Sequence, residues 1–209
     1  MTVALILASA SPARLTTLRS AGIDPLVQVS DVDEPAAIAR AEDGLGGTLA
    51  SDEVALLLAR AKCEDVAAAS DADALVLGCD SVLEFDGETF GKPADAAEAT
   101  ARWQRMRGRS GTLHTGHWLI DAREESTGAT FGVVASTVVH FADLSDAEIE
   151  AYVATGEPLR VAGAFTIDGL GGPYVRRIEG DHHNVVGLSL PVLREMFGEV
   201  GVTFDQVRG

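Results

Sequence analysis

A run of apolar and small residues, Ala74-Leu75-Val76-Leu77-Gly78-Cys79, leads directly to a carboxylate, Asp80, and a hydroxyl, Ser81. A continuous apolar run of this length reads as a central strand buried on both faces. A carboxylate just past such a strand sits where open α/β sheets place ligands, and it can hold Mg²⁺ or activate a water. An Asp there also serves to cap turns, so position alone leaves both roles open. The chain has only two lysines, Lys62 and Lys92. Lys62 follows Ala61 at the edge of a helical apolar face, from which it can point into a cleft. Lys92 lies in Gly91-Lys92-Pro93, and the proline restricts its backbone to extended conformations and so aims the side chain. Each lysine has an ordinary alternative as a solvated surface charge.

A second chemistry-bearing segment is Leu5-Ile6-Leu7-Ala8-Ser9-Ala10-Ser11-Pro12-Ala13-Arg14. It reads as strand, tight turn and helix start, with Ser11 as N-cap and Pro12 as first helical residue. The turn leaves backbone N–H groups at the positive end of a helix, with Arg14 one turn in, an arrangement suited to phosphate. Asp33-Glu34 places paired acids after a second strand, as metal ligands or as a solvated turn. His114 and His117 fall on opposite faces of a strand and cannot share a metal. His182-His183 read as a polar loop. Cys63 and Cys79 have neither metal-ligand spacing nor the pattern of a disulfide framework, which together with the missing membrane segment points to a reduced, cytoplasmic setting. No P-loop, G-x-S-x-G elbow or H-E-x-x-H helix is present.

Composition narrows the partners. The net charge of -16 over 209 residues argues against nucleic acid, which needs basic surfaces. A small phosphorylated ligand needs only a local cluster of cations, with or without a metal. No apolar stretch reaches the ~18 residues of a membrane span.

The elements that must position these groups follow from pattern. Strands are expected over 3–9, 26–30 and 74–79, a hairpin over 82–90, and two long strands over 112–123 and 130–143, joined near Ser126-Thr127-Gly128. A last short strand runs over 174–178. Helices are expected over 11–21, from a cap at Ser51, over 95–107, from the capping box Ser145/Glu148 to Gly156, and over 189–198. Residues 31–50 read as a loop with a helical piece. The mixture of crossover helices and long antiparallel strands predicts an α/β fold: a mixed, twisted β-sheet with flanking helices, forming one domain over 1–209 with two lobes about a central cleft.

Taken together, the residues resemble the Maf family of nucleotide pyrophosphatases. The likeness runs in register through Ala8-Ser9-Ala10-Ser11-Pro12 with Arg14, Val32-Asp33-Glu34, Leu58-Ala59-Arg60-Ala61-Lys62, Gly78-Cys79-Asp80-Ser81-Val82 and Gly91-Lys92-Pro93. It continues through Thr115-Gly116, Glu148 to Leu159, Ala162-Gly163-Ala164-Phe165 and Asn184-Val185-Val186-Gly187-Leu188. The resemblance implies a Maf/ITPase-like fold and hydrolysis of a nucleoside triphosphate between its α and β phosphates, with Mg²⁺ or Mn²⁺. It also implies a homodimer and no membrane. By the same analogy Asp80 is the proton acceptor or a metal-held carboxylate. Ser9, Arg14, Lys62 and Lys92 grip phosphates, and Glu34 helps hold the metal.

The chain departs from the family pattern at three positions that resemble its base-specificity sites. Ala13 stands where an Arg is usual, Ser81 where a Thr is frequent, and Asp168 where the pyrimidine branch has Gln. Arg160-Val161 replaces a frequent Asp-Lys. Losing an Arg removes a planar bidentate donor, and exchanging Gln for an ionised Asp leaves only acceptors. Two other readings follow: a nucleotide-binding regulator of cell division with little catalysis, and a sugar-nucleotide or phosphosugar hydrolase on a similar scaffold.

Overall fold

The computed structural model describes residues 2–126 and 128–208. In chain order the elements are β1 (Ala4–Ala8), α1 (Pro12–Ser20), β2 (Leu26–Val27), α2 (Glu34–Leu45), α3 (Ser51–Ala68), β3 (Ala74–Phe85), β4 (Glu88–Phe90), α4 (Ala96–Met106), β5 (Ser110–Asp121) and β6 (Thr130–Phe141). There follow α5 (Asp146–Ala154), β7 (Val175–Glu179), α6 (His182–Val186), α7 (Leu190–Glu199) and α8 (Phe204–Val207), with three short 3₁₀ turns between α5 and β7. The sheet order is β2-β1-β3-β5-β6-β7, with β4 also on β3. β1 runs parallel to β2 and β3, whereas β3, β5, β6 and β7 are successively antiparallel. The expected mixed sheet with flanking helices is therefore present.

Several local expectations need correction. The strand from Ala74 does not stop at Cys79. It runs on to Phe85, so Asp80 and Ser81 lie in mid-strand. Polar residues are tolerated there because charged side chains reach them from both sides of the sheet. The helical piece expected within residues 31–50 is a 12-residue helix, Glu34–Leu45. Asp33 caps it by accepting from the Ala36 N–H at 3.0 Å, and Gly46 closes it in the left-handed region. α3 is capped one residue early: Glu53 accepts from the Ala50 N–H at 2.8 Å, while the Ser51 hydroxyl pairs with Thr89 at 2.6 Å. β2 has two residues rather than five. His182 and His183 begin α6 instead of lying in a loop. The turn expected at Ser126-Thr127-Gly128 includes Thr127, which lies outside the described residues.

Side-chain alternation divides the core. On one face of β3, Leu75, Leu77 and Cys79 join Leu18, Leu193 and Phe197 in one apolar cluster, whereas Leu83 and Phe85 join Trp103, Phe141 and Tyr152 in another. The polar Ser81 lies between the two. Two separate apolar clusters thus lie along one face of the same strands. On the opposite face, α3 packs on β3 and β5. Its approach is as close as backbone allows. A Cβ built on Gly78 would stand 2.2 Å from the Ala59 carbonyl oxygen, and one on Gly116 would stand 2.3 Å from that of Ala55. Glycine on the sheet and alanine on the helix thus set the depth at which α3, and Lys62 with it, sits.

Candidate active site

The register of β3 creates an opening. One edge of β3 pairs with β5 from Leu75 to Glu84. The other edge pairs with β1 only as far as Gly78, opposite Ala8, and then with β4 only from Leu83, opposite Phe90. Residues 79–82 are left between the ends of two strands. The Ser9–Pro12 turn leaves β1 at one side of this window, and Gly91-Lys92-Pro93 leaves β4 at the other. Arg14 and Lys62 reach β3 at this gap, from its two faces.

Asp80 is buried on the α3 face. Lys62 reaches it from α3, with Nζ donating to Asp80 Oδ1 at 2.5 Å. The same ammonium contacts Glu34 Oε1 at 2.6 Å. Glu34 is the first residue of α2, directly after the Asp33 cap, so one helix start orients it. Burial pushes the Asp80 carboxyl above the usual carboxylate range, with Lys62 and Arg14 pulling the other way. Burial also acts against the charge on Lys62, but the Asp80 and Glu34 carboxylates outweigh it and hold the ammonium above its ordinary value.

Arg14, also buried, uses four of its five N–H donors inside the protein. Nε donates to the Gly187 carbonyl at 2.7 Å, and Nη1 to Ser9 Oγ at 2.9 Å and the Cys79 carbonyl at 2.7 Å. Nη2 donates to Ser81 Oγ at 3.0 Å. Among the described residues no carboxylate lies within ion-pair distance of it. A buried guanidinium with hydrogen bonds but no ion-pair partner is a charge in need of an anion. Ser9 and Ser81 therefore orient Arg14 in this state, and Ser81 in turn shares a hydrogen bond with Thr115 at 2.9 Å.

Lys92 is exposed and makes no hydrogen bond or ion pair among the described residues, but its backbone is fixed. The Gly91 carbonyl accepts from Arg102 Nη1 at 2.6 Å and from the Gly163 N–H at 3.1 Å. Ala13 is half-buried beside Arg14. Asp168 is exposed and bonds only Thr166 among the described residues. Among the described residues no hydrogen bond links Asp168 to Asp80. Its loop is held instead by Glu157, which accepts from the Leu170 and Gly171 N–H groups at 2.9 and 2.8 Å.

Three residues matter here to which sequence reasoning gave no role in the site. Arg102 clamps the Lys92 turn. Asn184 is fully buried and donates to the Leu113 carbonyl at 3.2 Å and to Thr137 at 3.0 Å. His117 accepts from the Ser189 N–H at 2.8 Å. Asn184 and His117 pin the two ends of the segment that offers the Gly187 carbonyl to Arg14. A buried Asn in an apolar stretch was the available signal; the Arg102 and His117 contacts cross many residues and left none. His114 and His117 do lie on opposite faces of β5: His114 bridges Ser136 and Glu84, and burial with the nearby Arg14 lowers His117 to about 4. Cys63 and Cys79 are buried thiols pushed up to about 12 by burial, too weakly acidic for nucleophilic work.

Among the described residues no three His, Cys, Asp or Glu side chains form a cage for a metal. Glu34 and Asp80 nevertheless converge on one cation, the Lys62 ammonium. Two carboxylates completed by water and substrate phosphate make up the usual donor set for Mg²⁺ or Mn²⁺ at phosphoryl-transfer sites. The residues present fit such an ion.

A sequence model of the family described as Maf-like protein matches residues 4–200. The chain belongs to the Maf-like family. A relative from Salinispora tropica, named nucleoside triphosphate pyrophosphatase, is 58% identical over 202 residues, covering 95% of this chain and 84% of its own length. One of the same name from Streptomyces avermitilis is 55% identical and covers 97% and 93%. One from Gloeothece citriformis, again of that name, is 48% identical and covers 97% of both. In this Maf-like chain Asp80, Lys62 and Glu34 meet on one face of β3, and Arg14 reaches Ser81 on the other. No described helix is long and apolar enough to cross a membrane.

Proposed function

We infer that this chain is a hydrolase that splits nucleoside triphosphates into a nucleoside monophosphate and pyrophosphate. The observation that carries the reading is the gap at residues 79–82, where Lys62 meets the buried Asp80 carboxylate on one face of β3 and the buried Arg14, with no counter-ion among the described residues, reaches Ser81 from the other. The names of its Maf-like relatives support the same activity.

Asp80 is the proton acceptor in this reading. Burial raises its proton affinity above that of an ordinary aspartate, which makes it a better base. It takes a proton from a water whose oxygen attacks the α-phosphorus. The bond from that phosphorus to the bridging oxygen breaks, and the electron pair leaves with pyrophosphate. Arg14 offers its one uncommitted Nη2 hydrogen to a phosphate oxygen, and Lys62 and Lys92 supply two further positive charges. Such fixed cations stabilise the charge that develops on the leaving oxygen. Glu34 and Asp80 would hold Mg²⁺ or Mn²⁺, which when bound neutralises phosphate charge and lowers the pKa of water. With an overall charge of -16 the surface repels a triphosphate at long range, so this local cluster must overcome the field.

We place Ala13, Ser81 and Asp168 among the residues that select the base. Residues 1–209 act as one domain, working in the cytoplasm as a homodimer on a nucleoside triphosphate rather than on nucleic acid or at a membrane. The test is pyrophosphate release from a panel of canonical and modified nucleoside triphosphates with Mg²⁺ or Mn²⁺, beside Asp80→Asn. Metal-dependent release that is lost in the variant supports the enzyme. Nucleotide binding without release from any substrate would replace it with a regulator, and release of orthophosphate from a phosphosugar would replace it with a different hydrolase.

A further inference from the structure

The Lys62 ammonium lies 2.5 Å from Asp80 Oδ1 and 2.6 Å from Glu34 Oε1. Both carboxylates proposed for the metal are therefore already occupied by one cation from the protein. We propose that Lys62 competes with the divalent metal for this carboxylate pair, so that nucleotide-free protein excludes the metal and the ion enters together with the triphosphate. The inference rests on the metal reading given above.

The argument is one of space and charge. Mg²⁺ and ions like it bind carboxylate oxygens at about 2.0–2.2 Å, closer than the ammonium does. An ion reaching both Asp80 and Glu34 would lie in the space that Nζ fills. Repulsion between two cations about 3 Å apart in a partly buried site forbids sharing. The ammonium must leave for the metal to bind, and it is only 14% exposed at the side chain. Its flexible four-carbon stem allows the move, but without a new anion the displaced charge would be left desolvated and unpaired. The triphosphate supplies that anion. Lys62 thus neutralises Asp80 and Glu34 in the empty protein and is handed to phosphate when the metal takes its place. Metal and nucleotide each favour the other's binding, as linkage requires.

The test is Mn²⁺ binding to the nucleotide-free full chain, read as loss of the free-ion electron paramagnetic resonance signal. Wild type is compared with Lys62→Met, Lys62→Gln, Lys62→Arg and Asp80→Asn, with circular dichroism confirming the fold of each. Tenfold or greater tightening in a folded neutral variant, Met or Gln, with no tightening in Lys62→Arg, is the expected result. Affinity equal to or weaker than wild type in both neutral variants, with Asp80→Asn still weakening the ion, overturns the competition and leaves the metal reading standing. Mn²⁺ binding to Lys62→Met or Lys62→Gln that is unchanged when Asp80→Asn is added overturns both.

Discussion

Gly78→Ala tests whether backbone contact between α3 and the sheet sets the active-site geometry. The added methyl would stand 2.2 Å from the Ala59 carbonyl oxygen and 2.7 Å from Cys63 Cβ, where ordinary contact begins at 3.4 Å. Neither side yields easily: Gly78 is in a central strand, and the oxygen belongs to the helix backbone. Helix α3 must retreat by about 1 Å, an overpacking cost at the upper end of the ~1–3 kcal/mol range. At ~2–4 °C per kcal/mol for a domain of this size, the melting temperature falls by about 6–12 °C. The retreat also draws Lys62 away from Asp80, and a misplacement of about 1 Å can cost on the order of 10²-fold in rate. The assays are thermal melting by circular dichroism, and pyrophosphate release measured well below the melting point. Gly44→Ala is the control. That glycine lies inside α2 with nothing within 4 Å of a built Cβ, so the same change there should stabilise by about 0.5–1 kcal/mol. A Gly78→Ala protein that melts within 2 °C of wild type and keeps its rate would refute the reasoning.

Three further outcomes are expected. Asp80→Asn should lower turnover by about 10²–10⁴-fold, the range for loss of a general base; in wild type, kcat should rise with pH through a midpoint above the ordinary carboxylate range, because burial raises Asp80. A flat acid limb would count against its role as base. His117, with a folded value near 4 against an ordinary 6.5, adds stability that is fully present above pH 6.5 and lost as pH falls toward 4, by about 3 kcal/mol; His117→Gln keeps an acceptor for the Ser189 N–H and should flatten that part of the urea-denaturation profile, and an unchanged slope would sink the assignment. Arg102→Met frees the Gly91 carbonyl and should raise KM for the triphosphate several-fold, whereas the same change in a Lys92→Ala background should add little; equal effects in both backgrounds would mean that Arg102 does not act through Lys92.

Much of this protein was legible in its sequence. The apolar run from Ala74 announces a central strand because burial on both faces removes the need for alternation. Ser11-Pro12 and Ser145/Glu148 mark helix starts because caps answer a local shortage of hydrogen-bond partners. The chemistry-bearing residues stood out by type: a carboxylate after a strand, two lone lysines and an arginine in a first turn. Helix α2 was less visible, since its alanine- and glycine-rich sequence buries little apolar surface. Tertiary structure decided how the parts meet. Asp80 and Ser81 lie in mid-strand because Lys62 and Arg14 arrive from opposite faces to satisfy them. The gap at residues 79–82 exists because β1 ends at Ala8 and β4 begins to pair at Leu83, a matter of register between distant strands that no local pattern encodes. The Lys62–Asp80–Glu34 contact depends on glycines meeting alanines across the helix–sheet interface. The local sequence specifies which groups want partners, whereas only the packed chain determines which partners lie within a few ångströms.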